Sequence, residues 1–144
     1  MNRVFFLCAW TGLVTVASAH HVFAENSWPE GAKVYFIEPS DGATITGKVT
    51  VKFGLAGLGV APAGVDKPKT GHHHILIDID APQGPELQEP LISDEQHRHF
   101  GGGQTETTLD LPPGPHTLQL IVGDMNHVPH DPPLESQKIT ITVQ

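Results

Sequence analysis

Three short clusters of histidine carry most of the chemistry that this chain offers. They are His72-His73-His74, His97-Arg98-His99 and His127-Val128-Pro129-His130. A neutral imidazole is the commonest side-chain metal ligand, and its charge changes near neutral pH. Because the clusters are well separated in sequence, they form one metal site only if the fold brings them together.

Alternation along a strand decides which histidines of the first cluster can act together. His72 and His74 are two residues apart in a predicted strand. They therefore project from the same face and suit chelation of one ion, the alternative being a solvated strand end. His73 points the other way, with Ile75 and Ile77, and is predicted to be a buried or half-buried histidine that donates to a loop carbonyl and does not bind metal.

The second cluster repeats the two-residue spacing. His97 and His99 suit chelation, and the nearby Asp94 could orient their rings as a hydrogen-bond acceptor. The alternative is a polar loop in which Arg98 pairs with the neighbouring acids. The glycine run at 101–103 is expected to let the backbone pass close to the histidines.

The third cluster lies in the most polar loop of the sequence. His127 and His130 could both reach an ion there, and Met125 adds a soft thioether. The alternative is an ordered turn in which Asp124 and Asn126 make side-chain-to-backbone hydrogen bonds. The two interpretations are compatible with each other.

Short β-type runs separated by proline and glycine predict an all-β domain. The expected strands, of which the fourth is short and weak, cover residues 33–38, 47–55, 72–80, 91–100, 105–111, 116–123 and 138–143. Their number and spacing predict an immunoglobulin-like antiparallel β-sandwich of six to seven strands, formed by residues 33–144.

The strand order of such a sandwich gathers the loops after the second, fourth and sixth strands at one end. All three histidine clusters fall at these loops, so we expect them to converge there. His116 follows the loop between the fifth and sixth strands, which lies at the opposite end, and is predicted to pack as a strand-end histidine. The predicted metal ligands are His72, His74, His97, His99, His127 and His130.

The first nineteen residues are predicted to be a secretory signal peptide. Arg3 precedes a short apolar run, Ala17-Ser18-Ala19 forms a cleavage site, and a second candidate cut follows Ala24. Residues 20–32 would then be a leader segment. We expect a periplasmic or secreted protein whose mature chain does not insert into a membrane, because the apolar run is too short to span one.

Charge and cysteine content narrow the function classes. Cys8 lies in the signal, so the mature chain has no disulfide and no thiolate ligand. Its seven basic and sixteen acidic residues give a net charge of −9 without a basic cluster. That balance argues against binding nucleic acid or anionic membranes. No hydrolase or zinc-protease motif is present, so enzyme activity is the less favoured expectation.

The segments GHHH, HFGGGQTET and NHVPH resemble those of an uncharacterised family of exported bacterial β-sandwich domains, classed as a domain of unknown function. The resemblance extends over about Lys33 to Val143. It implies an exported sandwich domain and no particular activity. The segment PGPHTLQLIVGDMNHVPH is also similar to the last strands of other secreted sandwich domains, some of which are associated with copper.

The leading prediction is reversible binding of a copper or zinc ion, in a carrier, storage or resistance role. Nitrogen ligands favour copper and then zinc. A second hypothesis is a metal-independent module that binds an organic ligand, a glycan or a protein through the same histidines. A third is a copper enzyme that uses His20, the first residue after cleavage behind Ala19. A fourth is a structural domain whose histidines only rim a hydrogen-bonded loop end.

Overall fold

The computed structural model describes residues 28–144. Its strands, in chain order, are β1 (Lys33–Glu38), β2 (Thr44–Ile45), β3 (Val49–Ala56), β4 (Gly59–Val60), β5 (Thr70–Ile77), β6 (His97–His99), β7 (Glu106–Leu109), β8 (Gly114–Gly123) and β9 (Ile139–Val143). A short 3₁₀ helix covers Gly84–Gln88. The predicted signal peptide (residues 1–19), His20 and most of the leader lie outside the described residues. Within residues 28–144, no helix is long and apolar enough to cross a membrane.

The strands form two sheets, which confirms the predicted all-β sandwich. One sheet has the order β1-β3-β7, and the other has the order β2-β9-β8-β5-β4 with β6 paired to β5. The first, second and fifth predicted strands thus share one sheet, and the third, sixth and seventh share the other, as in immunoglobulin-like domains. Two short strands that the sequence did not predict, β2 and β4, pair in parallel with β9 and β5.

Alternating apolar residues on the facing strands build the core between the sheets. Val51 and Phe53 of β3 meet Ile75 of β5 and Leu120 of β8, and all four side chains are at most 1% exposed. His73 shares the face of Ile75, as predicted, and its fully buried ring lies 4.7 Å from the ring of Phe53. The period of two therefore assigns His72 and His74 to the other face of β5.

That other face, here called the outer face of the six-stranded sheet, is also buried. Leu76 of β5 and Ile121 of β8 lie on it, and they are 1% and 0% exposed. The 3₁₀ helix and residues 124–131, here called the site loop, are tied to each other beside this face. The His130 N–H donates to the Leu87 carbonyl at 3.1 Å, and the Leu91 N–H donates to the His127 carbonyl at 2.9 Å. The 3₁₀ helix and the site loop therefore shield part of the outer face from solvent, and histidines on that face can be buried.

His116 has a separate environment. Its Nδ1 lies 2.7 Å from Asp78 Oδ2, and its Nε2 lies 2.8 Å from the Pro112 carbonyl oxygen. Both nitrogens face acceptors, which suits a protonated ring that donates twice. The Asp78 carboxylate is the main cause that raises the pKa of His116. The ring is nearly buried at a strand end, consistent with the expectation that it packs rather than binds metal.

Candidate metal centre

Four histidine rings converge at the outer face of the six-stranded sheet. His72 and His74 come from β5, His99 comes from β6, and His127 comes from the site loop. One ring nitrogen from each lies within 4.8 Å of those of all the others. His72 Nε2 is 3.0 Å from His74 Nε2 and 3.2 Å from His127 Nδ1. We call this group the four-histidine cluster.

The register of β5 and β6 places two of these rings together. His74 pairs with His99 across the antiparallel strands, and the rings stack with centroids 4.9 Å apart. The His99 ring then extends over Gly101, where an added Cβ would lie 2.5 Å from His99 Nε2. The backbone therefore passes close to a histidine ring at Gly101, as expected for the glycine run.

A turn built on Asp124 holds His127 in place. Asp124 Oδ1 accepts the N–H groups of Asn126 at 2.8 Å and Val128 at 2.9 Å, which makes the side-chain-to-backbone bonds that the sequence suggested. The Asp124 carbonyl accepts the His127 N–H at 2.9 Å. His127 itself has a φ of 70°, a left-handed conformation that is rare outside glycine. His130, at the end of the same loop, has a similar φ of 66°.

Gly123 lets the site loop turn back against the cluster. It pairs with His72 at the end of β8. A Cβ at this position would lie 3.1 Å from His74 Nε2 and 3.1 Å from His127 Cα. Any side chain here would therefore crowd the space into which the ring nitrogens point. Sequence reasoning did not identify Gly123, because only the close packing of the loop reveals its role.

Burial keeps three of the four rings, those of His72, His74 and His99, unprotonated. Desolvation, followed by the neighbouring rings of His127 and His99, lowers the pKa of His72 to about 4. Desolvation, followed by the ring of His72, lowers the pKa of His74 to about 2. Burial also lowers the pKa of His99. At neutral pH these rings therefore present unprotonated nitrogens, which is the form that binds a metal ion.

The hydrogen bonding of the cluster is incomplete. Among the described residues, the ring nitrogens that are buried without a hydrogen-bond partner are His72 Nδ1, His74 Nδ1, His99 Nε2 and both nitrogens of the core-facing His73. The atoms of His72 and His74 that face the cluster are the Nε2 atoms, so an ion bound there would engage these atoms and leave the two Nδ1 atoms without a partner. Four nitrogens bound tetrahedrally to one Zn²⁺ would be about 3.3 Å apart, close to the two short separations in the cluster. The donor set and its spacing therefore fit a metal ion.

The structure leaves the other two predicted ligands outside the cluster. His97 pairs with Leu76 across the two strands, and its Nδ1 lies 2.9 Å from Asp94 Oδ1. His130 Nε2 lies 3.1 Å from Asp124 Oδ2. Each of these two histidines thus has a carboxylate partner, so four of the six predicted ligands are brought together.

Trp28 anchors the site loop from the end of the predicted leader. Its Nε1 donates to the Pro129 carbonyl at 2.7 Å, and its ring meets the ring of His130 edge-on at 5.4 Å. No pattern in the sequence indicates this contact, which joins positions about a hundred residues apart. The site therefore includes support from outside the predicted sandwich boundaries.

Comparison with known proteins identifies a family and no activity. No curated protein matches the chain. The structure is similar to that of the endo-β-1,4-mannanase from Thermotoga petrophila, with 20% identity and a TM-score of 0.43. The similarity covers 78% of this chain and 20% of the mannanase, so this chain spans about a fifth of that protein's length. Similarity at this level supports no statement about shared fold or activity.

The family comparison agrees with the resemblance seen in the sequence. Residues 51–144 match a family described as a domain of unknown function, DUF4399. The match covers more than half of the chain, including the four histidines of the cluster. The chain belongs to the DUF4399 family.

Proposed function

We propose that this domain binds one copper or zinc ion through the four-histidine cluster. The observation that carries the proposal is the convergence of four ring nitrogens, one from each histidine, within 4.8 Å of one another. Residues from β5, β6 and the site loop contribute to it, so the arrangement is a product of the tertiary fold. Neutral imidazoles at these distances share N–H···N hydrogen bonds in pairs, whereas one cation would engage a lone pair from each of the four rings.

The donor chemistry supports a divalent ion. The four donors are imidazole nitrogens, which suit Zn²⁺ and Cu²⁺, whereas Cu⁺ is selected by soft sulfur ligands. Met125 is not in the cluster; it lines an open cleft together with Trp28 and His130. Affinity order alone favours Cu²⁺ over Zn²⁺. A tetrahedral arrangement of four protein ligands is typical of zinc.

A carrier, storage or resistance role in the periplasm or outside the cell is the physiological part of the proposal. It is supported by the predicted signal peptide and by the acidic balance of the mature chain. The Asp124 carboxylate, which acts electrostatically on His72, would compensate part of the charge of a bound ion.

Isothermal titration of the chelator-treated mature protein tests the proposal. We expect one Zn²⁺ or Cu²⁺ per chain, with a dissociation constant in the micromolar range or tighter and with weaker binding of Cu⁺. His97 and His99 provide a matched pair, since both lie on β6 and only His99 belongs to the cluster. His99→Ala should weaken binding at least tenfold, while His97→Ala should leave it within about twofold. Binding no tighter than millimolar would contradict the proposal.

One observation favours the metal-independent alternative. An open cleft of about 470 Å³ lies beside the site loop, lined among others by Trp28, Lys67 and Asp124. A small polar ligand would fit this cleft through hydrogen bonds and charge. Ligand binding that survives exhaustive chelation, together with no metal uptake, would support this alternative. The copper-enzyme hypothesis concerns His20, outside the described residues, and the mass of the mature N-terminus tests it.

A further inference from the structure

We infer that the metal ion enters and leaves the cluster on the side of His99 and His127, while His72 and His74 remain as a fixed pair of ligands. The inference rests on the proposed function and adds how the site exchanges its ion. It predicts an order of release, in which His127 and His99 dissociate from the ion before His72 and His74 do.

Burial divides the four ligands into two pairs. His72 and His74 are each 1% exposed, whereas His99 and His127 are partly exposed. An ion bound among the four rings would therefore be separated from solvent on one side by the sheet and on the other by two partly exposed rings. The shorter path to solvent is on the side of His99 and His127, whose ring centroids are 4.6 Å apart, so one of these rings must move for the ion to pass.

The backbone supports of the two pairs differ in the same direction. His72 and His74 lie on β5, which pairs with β8 over six residue pairs and lies inside the sheet. His99 lies on β6, a three-residue strand whose pairing, within residues 28–144, is to β5 alone. Local opening costs least where few hydrogen bonds and few buried contacts are lost. Displacing β6 would break one short pairing and disturb the neighbouring Phe100, which packs in the core, whereas moving β5 would break the sheet.

His127 depends on a turn rather than on a sheet. Its position is set by the Asp124 hydrogen bonds to Asn126, to Val128 and to its own N–H, and by the Leu91 N–H that donates to its carbonyl. Losing the Asp124 side chain would remove the first two of these bonds and the contact with His130, without altering any strand. The left-handed φ of His127 adds a reason for the turn to open, because relaxation to a common conformation would be favourable. Asp124 is therefore a positioning residue for His127.

The chain offers a matched control for Asp124. Asp94 makes the same kind of turn: its Oδ1 accepts the N–H groups of Gln96 at 2.8 Å and His97 at 2.7 Å, and it contacts the His97 ring. His97 lies outside the cluster, so this second turn organises a histidine that does not contribute a ligand. Comparing Asp124→Ala with Asp94→Ala separates the positioning of a ligand from the general effect of removing an aspartate turn.

Stopped-flow transfer of Zn²⁺ from the loaded protein to an excess of a coloured chelator measures the release rate. Asp124→Ala and His127→Ala should each release Zn²⁺ at least ten times faster than the unmodified protein, while still binding one ion. Asp94→Ala should release it at the unmodified rate. His72→Ala should fail to retain Zn²⁺ at micromolar concentration, and His72→Gln provides a second test if circular dichroism shows that the alanine variant is unfolded.

Two results would overturn the inference. One is an unchanged release rate in Asp124→Ala. The other is an equal effect of replacing His72 and His127 in variants that remain folded. If the unmodified protein takes up no metal, the proposed function itself fails; if it binds metal but shows either of these results, only the exchange route is wrong.

Discussion

His74 and His99 face each other across neighbouring antiparallel strands, and their rings stack with an interplanar angle of 28°. The strand register therefore sets the positions of two candidate ligands. A shift of one residue in this pairing would send the ring of His99 to the opposite face of the strand. The precision of the cluster thus depends on the sheet as much as on the histidines.

The His99 ring requires the bare backbone of Gly101. Gly101→Ala should displace this ring, because the new Cβ would lie 2.5 Å from His99 Nε2. We expect metal affinity to fall about tenfold, with a change of less than about 1 kcal/mol in the free energy of unfolding of the metal-free protein. Titration calorimetry and urea denaturation measure the two quantities.

Gly102→Ala is the control for this variant. A Cβ at Gly102 would meet only the end of the flexible Gln104 side chain, at 3.0 Å or more. Metal affinity in this variant should remain close to that of the unmodified protein. Equal losses of affinity at the two positions would show that the loss in Gly101→Ala does not come from displacement of the His99 ring.

Part of the site followed from the sequence, because alternation along a strand is a local rule. It assigned His72 and His74 to one face of β5 and His73 to the core, as the structure shows. The strand order then predicted that separated histidines converge. His99 and His127 joined the first pair, since β6 pairs with β5 opposite His74 and the site loop follows Gly123, which pairs with His72.

Other features could not be predicted, because they depend on tertiary packing. The cluster lies on the outer face of the sheet rather than at the open loop end, since the 3₁₀ helix and the site loop lie beside that face. His97 and His130 differ from the cluster histidines in having carboxylate partners, Asp94 and Asp124. Sequence spacing does not distinguish a histidine bonded to a carboxylate from one that is free to bind metal.

The buried His73 should make the protein sensitive to acid. Desolvation lowers its pKa to about 4, an effect that nearby backbone groups of Gly54 and Gln104 only partly offset. The unfolded chain therefore binds more protons between about pH 6.5 and 4, so stability falls as the pH falls through this range. In His73→Leu, the free energy of unfolding should fall by about 2–3 kcal/mol less between pH 7 and 4.5 than it does in the unmodified protein. Urea denaturation of the metal-free protein at both pH values measures it.

Metal binding serves as the control for His73→Leu, since this side chain faces the core and not the cluster. The variant should bind Zn²⁺ as the unmodified protein does. An unchanged loss of stability in acid would show that His73 is not the group responsible.

The contribution of the His116–Asp78 pair to stability should depend on pH in the opposite sense to that of His73. Because the pKa of His116 is raised, their interaction stabilises the fold fully below about pH 6.5 and is lost as the pH rises through the folded-state pKa. Asp78→Asn should therefore lower the free energy of unfolding by about 1 kcal/mol more at pH 6 than at pH 9. Denaturation curves at the two pH values measure this difference, and a larger cost at pH 9 would contradict the assignment.

The cluster should retain metal at a pH where exposed histidines release it. The pKa values of about 4 for His72 and about 2 for His74 mean that protons compete with the ion only weakly at pH 5. We expect Zn²⁺ affinity to fall by less than tenfold per pH unit between pH 7 and 5.5, and to fall more steeply for an unstructured hexahistidine peptide measured alongside. A loss as steep as that of the peptide would show that the rings are protonated near their ordinary pKa.

Anomalous diffraction from crystals of the loaded protein tests the central claim most directly. Data collected above the absorption edge of zinc or copper locate the ion independently of the protein atoms. We predict one peak about 2.0–2.1 Å from a ring nitrogen of each of His72, His74, His99 and His127. A peak bound by His97 or His130 in place of these residues, or no peak at the cluster in a protein shown to be loaded, would contradict the account.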